Sequence, residues 1–277
     1  RKNYRMLSHL DLFSGIGGFS LGLESAGLVE TVAFCDFDDY CQKVLKKNFP
    51  GVPIYNDVKE LNYDKLKTDG INTIDIITGG YPCQPFSVAG RQKGEQDPRH
   101  VWPEMFRLIQ ELRPSWVIGE NVAGHIKLGL DTVLENLESE GYSARTFSIS
   151  ASSIGANHKR ERIWIVANSE SIGSHGREDR EHMEQRNTER KARGESSHVS
   201  HTNYERLEGL WEKHQLREGK REEQISWNGW WEIEPDVGRV AHGVPKSMDR
   251  LKCLGNSVVP RIPYLIGLAI KETIENE

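Results

Sequence analysis

The chain has 277 residues, of which 28% are charged, and its net charge at pH 7 is -5. This length suffices for one large domain with or without a smaller one, and such a core needs no disulfide or metal to hold it together. The acidic net charge weighs against a protein that binds a polyanion over its whole surface, although it is compatible with a basic cleft.

Neither a membrane span nor a disulfide framework is expected. No apolar run approaches the ~20 residues that cross a bilayer, and the first residues lack the apolar segment of a secretory signal. We therefore expect a cytoplasmic protein without a membrane partner. The cysteines are Cys35, Cys41, Cys83 and Cys253. Their spacing forms no CxxC or Cys/His cluster and disulfides are rare in a reducing cytosol, so the sequence predicts no metal site.

From residue 9 to about residue 167, short β-branched apolar runs alternate with amphipathic segments, which is typical of βαβ units. We predict an α/β fold with a mostly parallel sheet and helices on both faces. The predicted strands are His9–Phe13, Thr31–Cys35, Thr73–Thr78, Ser115–Gly119, Arg145–Ser150 and Arg162–Ala167. Helices are predicted at Trp102–Leu112 behind Pro103, at Leu130–Glu140 before Gly141, and at Pro263–Glu275.

The segment DLFSGIGGFSLGLESAG, Asp11–Gly27, predicts a strand, a glycine-rich turn and a helix. Gly15, Gly17 and Gly18 allow a ligand to approach the backbone and present free amides at a helix N-terminus. The pattern is neither GxGxxG nor a phosphate loop with GK[ST]. On its own it fits an ordinary tight turn as well as a nucleotide or adenosyl site.

Acidic residues at the following strand ends strengthen the adenosyl interpretation. Asp36 lies about 20 residues beyond the glycines, where a carboxylate can hold both ribose hydroxyls. Phe37 can stack on an adenine, and Asp57 in YNDVKEL can accept from an adenine amino group. Each residue alone also fits a solvated loop, but together they predict an adenosyl pocket at the carboxyl edge of the sheet.

Cys83 lies in GGYPCQPFS, just past a predicted strand end. A free cysteine is most often a small buried residue, but the flanking Pro82 and Pro85 stiffen this turn and favour a nucleophile presented in one direction. A nucleophilic thiol needs a lowered pKa or a base nearby. Candidate partners are Glu120 in GENV and the arginines of HKRER.

The segment from about Asn168 to Ile225 is rich in charged and small polar residues and poor in aliphatic ones. By composition alone this is typical of a flexible insertion. After this segment the sequence again has the mixture of apolar and polar residues that is typical of a folded domain. The last elements are therefore expected to fold back onto the first domain. The predicted boundaries are 1–167, 168–236 and 237–277.

Five segments occur in the order, and at about the spacing, found in the DNA cytosine-5 methyltransferases. They are DLFSGIGGFS, GGYPCQPFS, GENV, HKRER and LGNSVVP. The chain resembles that family, in its compact bacterial or phage form, over almost everything outside the polar segment. The resemblance implies a Rossmann-like S-adenosylmethionine-dependent methyltransferase domain with a small target-recognition lobe, acting as a monomer on double-stranded DNA.

The resemblance also implies a cofactor site for S-adenosyl-L-methionine, with S-adenosyl-L-homocysteine as its product and no metal. Asp36 would bind the ribose, at a position where the family more often has Glu. The other implied cofactor-binding residues are Phe13, Gly15, Gly17, Gly18, Phe37, Asp57, Val58, Pro82, Asn256 and Val258.

For catalysis, the resemblance implies that Cys83 attacks C6 of a flipped cytosine while Glu120 protonates or hydrogen-bonds N3. Arg162, together with Arg160, would hold the base carbonyl. The implied contacts to DNA within the loop are Gln84, Ser87, Lys93 and Arg99, and the basic residues offered by the recognition lobe are Arg177, Arg180, Arg186, Arg190, Lys191 and Arg193.

Two other functions are open from the sequence. A tRNA cytosine-5 methyltransferase would share the same motifs and differ in its variable lobe. A DNA-binding relative without catalysis is disfavoured by the joint presence of Cys83, Glu120 and Arg162.

Overall fold

The computed structural model of the chain describes residues 5–82, 101–127, 129–169 and 253–276. By its internal contacts the chain divides into two compact units, Arg1–Glu170 with Val237–Glu277, and Ser171–Asp236. All the described residues belong to the first unit, which joins the two ends of the chain across the intervening segment.

A seven-stranded sheet forms the centre of this unit. Its strands are β1 Leu7–Leu12, β2 Val29–Cys35, β3 Ile54–Tyr55, β4 Ile76–Gly79, β5 Trp116–Val122, β6 Tyr142–Ser150 and β7 Glu161–Ser169. The strand order is β3-β2-β1-β4-β5-β7-β6. The pairs from β3 to β5 are parallel and β7 is antiparallel to both of its neighbours, which confirms the predicted mostly parallel sheet.

Helices cover both faces of the sheet. They are α1 Gly18–Ser25, α2 Asp39–Asn48, α3 Tyr63–Thr68, α4 Trp102–Leu112, α5 Leu130–Ser139 and α6 Arg261–Glu275, with short 3-10 turns at Ala123–Lys127 and Ala151–Ile154. Local sequence explains several of their ends. Asp38 and Asn62 cap α2 and α3 by accepting from first-turn N–H groups, and Pro103 occupies the first turn of α4. Gly141, with φ 81°, follows α5.

Two cores lie on opposite faces of the sheet. The larger one includes Ile165 from β7 with Met105 from α4 and Leu137 from α5. On the other face, the Phe19 ring of α1 meets the Trp164 ring edge-on at 5.6 Å between centroids. Successive residues of a strand point to opposite faces, so β7 contributes one side chain to each core in turn.

The order of the strands determines where the loops converge. Because β1 lies between β2 and β4, the connections leave this point of the sheet in opposite directions. In α/β sheets the ligand crevice forms at the carboxyl edge at such a point. Since β7 is antiparallel, its first residues lie at that same edge, where Arg162 pairs with Val122 of β5.

Some boundaries differ from those predicted. Strand β4 begins at Ile76 rather than Thr73; just before it, the Asp75 carboxylate accepts the Ser8 N–H at 2.8 Å and the Arg5 guanidinium at 2.8 Å. Strand β5 continues past Gly119 to Val122, because β7 supplies an antiparallel partner along this length. Glu120 therefore lies within a strand rather than in the loop after it.

One described segment, Cys253–Glu275, has the length and mean hydropathy of a membrane span, which the sequence analysis did not expect. Its helix α6 contacts α1 and buries Ile262, Ile266 and Ile270. Core helices of this composition satisfy the same criterion, so packing against α1 accounts for the apolar character of the segment.

Candidate active site at the carboxyl edge

The glycine segment connects β1 to α1 through unusual backbone conformations. Gly15 and Gly17 have φ of 55° and 86°, and Phe13 adopts φ 52°, which is uncommon for a residue with a Cβ. A Cβ at Gly15 would meet no atom of the described residues within 4 Å, whereas one at Gly18 would lie 2.6 Å from the Val258 carbonyl oxygen. Gly15 therefore borders open space, while Gly18 allows the C-terminal segment to approach.

The Asp36 carboxylate ties this glycine segment to the end of β2. One of its oxygens accepts the Gly15 N–H at 2.7 Å, and the other accepts the Asp38 N–H at 2.9 Å. A carboxylate oxygen has more than one lone pair, so a ligand hydroxyl can share it. The next side chain, Phe37, is 74% exposed. The end of β2 thus presents an acceptor and a flat apolar ring beside the open position at Gly15.

Asp57 and Val58, the predicted adenine contacts, follow β3 and differ in their surroundings. Asp57 is half-buried, and one of its oxygens accepts the Lys59 N–H at 2.9 Å. Val58 is buried in the larger core, and its carbonyl accepts from the Arg107 guanidinium at 3.0 Å. The Asp57 carboxylate is therefore the polar side chain that this pair offers a ligand.

Glu120 and Arg162 form a partly buried ion pair across β5 and β7. The Arg162 Nε lies 3.1 Å from Glu120 Oε1. The register explains the contact: Glu120 faces Trp164, so Arg162, two residues away on β7, projects from the same face. Burial raises the pKa of Glu120, against the opposing effect of the Arg162 and Arg160 charges. This carboxyl therefore keeps a proton to a higher pH than an exposed glutamate does.

Arg160 is oriented differently from Arg162. Its Nη1 donates to the Gly255 carbonyl at 2.6 Å, and its Nη2 donates to the Ser257 carbonyl at 2.8 Å. These carbonyls flank Asn256, which is exposed and precedes the half-buried Val258 by two residues. Arg160 is also predicted, together with Arg162, to hold the cytosine carbonyl; in the structure its guanidinium contacts the backbone of the C-terminal segment.

The chain that leaves β4 passes beside this ion pair. A Cβ at Gly80 would lie 3.4 Å from Glu120 Oε2. The Tyr81 carbonyl accepts the Asn121 side-chain N–H at 3.1 Å, and the Tyr81 hydroxyl lies 3.0 Å from His125 Nε2. Pro82 is exposed and ends this described stretch. The turn toward Cys83 is thus fixed by two side-chain contacts from β5 and the 3-10 turn after it.

Several predicted residues lie outside the described residues. They are the nucleophile Cys83, the loop residues Gln84, Ser87, Lys93 and Arg99, and the recognition-lobe residues Arg177, Arg180, Arg186, Arg190, Lys191 and Arg193. The structure brings the remaining predicted residues to one edge of the sheet.

A family model described as C-5 cytosine-specific DNA methylase matches residues 7–242. The chain belongs to this family. Type II methyltransferase M.HhaI of Haemophilus parahaemolyticus is 37% identical over 165 residues, which are 58% of this chain and 48% of that protein. Type II methyltransferase M.HgiCII of Herpetosiphon aurantiacus is 34% identical over 170 residues, 59% of this chain and 38% of that protein. The methylase chain therefore spans less than half the length of these relatives.

Solved structures give the same family of folds. A putative DNA modification methyltransferase encoded within an E. coli prophage superposes with a TM-score of 0.51 at 28% identity, over 62% of this chain and 49% of that one. The S. pombe Dnmt2 methyltransferase superposes with a TM-score of 0.59 over 96% of this chain and 99% of that one, at 18% identity. The chain has a Rossmann-like methyltransferase fold, as predicted.

Sequence reasoning missed three residues that support the turn before Cys83: Tyr81, Asn121 and His125. Asn121 was visible within GENV and Tyr81 within GGYPCQPFS, but nothing in either segment indicated that one would bond the other. His125 lies in none of the five sequence motifs. Its role depends on the 3-10 turn after β5, which brings its ring to the Tyr81 hydroxyl.

Proposed function

We propose that this methylase is a DNA cytosine-5 methyltransferase, which transfers a methyl group from S-adenosyl-L-methionine to C5 of a cytosine flipped out of double-stranded DNA. The Glu120–Arg162 pair supports this most directly, because a partly buried carboxyl next to Gly80 is paired with a guanidinium. Cys83 follows Gly80 by three residues in the sequence. Acid, cation and thiol are the groups that this reaction requires of the protein.

The open edge beside β1 and β2 fits S-adenosyl-L-methionine. No described residue lies within 4 Å of a Cβ at Gly15, the exposed Phe37 ring offers a stacking surface, and Asp36 lies at the end of β2 to accept from a ribose hydroxyl. When bound, the cofactor supplies a methyl group on a sulfonium and leaves as S-adenosyl-L-homocysteine. The residues assigned to holding it are Phe13, Gly15, Gly17, Gly18, Asp36, Phe37, Asp57, Val58, Pro82, Asn256 and Val258.

The reaction begins with formation of a bond between the Cys83 sulfur and C6 of the flipped cytosine. The ring becomes electrophilic enough when Glu120 donates its proton to N3, which the raised pKa of this carboxyl favours. Arg162 orients Glu120 and stabilises the charge that develops at the base carbonyl. The attack at C6 moves the C5–C6 π electron pair onto C5, which uses it to bond to the methyl group. Solvent then takes the C5 proton, the C5–H electron pair restores the C5–C6 double bond and expels the Cys83 thiolate, and N3 returns its proton to Glu120.

Arg160 contributes by position rather than by contact with the base. Its two hydrogen bonds hold the carbonyls on either side of Asn256, and the next residues reach Gly18 at the cofactor edge. We propose that this clamp connects the strand carrying Arg162 to the C-terminal wall of the cofactor site, so that the two halves of the active site move together.

The recognition lobe, residues 168–236, is proposed to meet DNA through basic side chains, which makes binding strongly dependent on salt. Gln84, Ser87, Lys93 and Arg99 are proposed to contact DNA from the loop after Cys83. We expect the protein to work as a monomer in the cytoplasm, without a membrane partner.

The decisive test is transfer of a labelled methyl group from S-adenosyl-L-methionine to separate pools of duplex DNA and tRNA. We expect label in DNA, and label in tRNA alone would overturn the DNA substrate. Bisulfite sequencing of DNA from cells that express the protein then identifies the target sequence.

The covalent step has its own test. Duplex DNA with 5-fluorocytosine at the target site should trap an adduct on Cys83, because fluorine cannot leave as a proton does. The Cys83→Ser protein should form no adduct, whereas the Cys35→Ser control should form one. An adduct that maps to another residue would contradict the assignment of Cys83.

A further inference from the structure

Two cysteines that lie far apart in the sequence meet beside the cofactor edge. The Cys41 and Cys253 sulfur atoms are 3.0 Å apart, although 212 residues separate them. Both residues are buried. A carboxylate oxygen of Asp38 joins them, and the three ligand atoms lie within 4.8 Å of one another. None of these residues has a part in the methyl transfer proposed above.

The local backbone presents two of the three groups together. Asp38 caps α2 and accepts the Tyr40 N–H at 3.0 Å and the Cys41 N–H at 3.2 Å. Asp38 and Cys41 are thus three residues apart at the start of a helix, so their side chains lie on one face. The third group, Cys253, comes from the segment that leads into LGNSVVP. Zinc sites often take two ligands from closely spaced residues and another from a distant segment, and Cys sulfur and Asp oxygen are both zinc ligands.

The charges around the two thiols favour a cation. The Asp38 carboxylate and the two sulfur atoms lie within 4.8 Å of one another, and both cysteines are buried. A divalent cation at this place would stabilise each thiolate and also the neighbouring carboxylate.

We propose that Asp38, Cys41 and Cys253 form a binding site for a soft divalent cation of the zinc class. Two thiol protons pass to solvent on binding, and the sulfur lone pairs and the carboxylate form the bonds to the metal. With three protein ligands, water completes the coordination. The cation links α2, which follows Asp36, to the segment that Arg160 clamps. It therefore braces the C-terminal wall without taking part in the chemistry.

The test uses the full-length protein, stripped of metal by a chelator and kept reduced, and titrates it with Co²⁺. Thiolate ligation gives an intense near-ultraviolet charge-transfer band, which a carboxylate or histidine site lacks. We expect the band to saturate at one equivalent and to disappear on addition of one equivalent of Zn²⁺. Release of protons during the titration should accompany it.

Matched variants locate the site. Cys41→Ser and Cys253→Ser should each abolish the band or weaken Co²⁺ binding at least about tenfold, as expected for loss of a ligand. Cys35→Ala should retain full binding, since Cys35 is not one of the three ligands. Asp38→Asn preserves the helix cap, so weaker binding with an unchanged melting temperature assigns ligation to the carboxylate.

Three outcomes would overturn the proposal. They are the absence of a charge-transfer band, a band that survives both cysteine substitutions, and a Cys41–Cys253 disulfide. The disulfide would count against the site if mass spectrometry still detects it after the protein has been treated with reductant and Zn²⁺. The charge-transfer band reports metal binding without any assay of methyl transfer, so these results are independent of the methyl-transfer tests.

Discussion

Two carboxyl groups, Asp11 on β1 and Glu120 on β5, both have a pKa that burial raises, but they differ in exposure and in their partners. Asp11 is fully buried and accepts from the Ser20 hydroxyl at 2.9 Å and the Thr78 hydroxyl at 3.0 Å. Glu120 is paired with the Arg162 guanidinium at the edge of the sheet. Burial raises the pKa of both groups, to about 7 for Asp11.

The network around Asp11 is closed. Thr78 also contacts His9 Nε2 at 2.8 Å, and His9 Nδ1 contacts Thr31 at 3.1 Å, so that neutral groups satisfy one another across β2, β1 and β4. Burial lowers the pKa of His9 to about 3, and this ring stays neutral. The Glu120 pair instead borders the turn toward Cys83. The raised pKa of Asp11 thus belongs to a structural network, whereas the raised pKa of Glu120 belongs to an acid that is available for catalysis.

The largest contrast is expected in the rate of methyl transfer. Glu120→Gln removes the proton that activates the cytosine ring, and the rate should fall by about 10²–10⁴-fold. Asp11→Asn keeps hydrogen-bonding capacity inside the closed network, and its rate should stay within a few-fold of the parent. Single-turnover assays with labelled cofactor measure both. Equal losses in the two variants would contradict the division between them.

The next effect concerns the ion pair. Arg162→Gln removes the charge that lowers the pKa of Glu120, so that pKa should rise. We expect a rate loss of about 10²-fold at neutral pH and an alkaline limb of the pH–rate profile shifted to higher pH. Arg160→Gln should shift this limb less, because Arg160 is engaged by carbonyls. An alkaline limb that moves to lower pH would contradict the assignment of the acid.

Of the two carboxyl groups, Asp11 should make the larger contribution to the pH dependence of the unfolding free energy. Its pKa is raised from 3.8 to about 7 in the folded state, so its stabilising contribution is greatest below pH 3.8 and is lost as pH rises through 7. The unfolding free energy of the parent relative to Asp11→Asn should therefore decrease by on the order of 4 kcal/mol across this window. Urea denaturation at a series of pH values measures the difference, and a pH-independent difference would rule out this titration.

The smallest effect is expected at the turn. Tyr81→Phe removes the hydroxyl contact with His125 and should destabilise the fold by about 1 kcal/mol. Burial lowers the pKa of His125 to about 4, so the loss should be the same from pH 6 to 8. Thermal denaturation measures the stability. A loss of up to about tenfold in the rate of methyl transfer should accompany it if the contact positions the turn, and an unchanged rate would contradict this role.

Much of this architecture could be predicted because it rests on local patterns. The apolar runs located the larger strands, Pro103 and Gly141 located helix ends, and five motifs identified the family. The extension of β5 through Glu120 was missed, because it depends on a partner strand that is distant in sequence. The clamp by Arg160 was missed for the same reason: a guanidinium can bind a base or a backbone carbonyl, and only the folded chain selects between them.

By itself the sequence determined which chemical groups this methylase has and which strand ends carry them, since a strand and its following turn are encoded in adjacent residues. The tertiary structure decided which of those groups touch. The antiparallel direction of β7 brings Arg162 to Glu120, and the return of the chain through α6 brings Cys253 to Cys41. Contacts of this kind depend on strand order and packing across the whole sheet, and no single segment contains them.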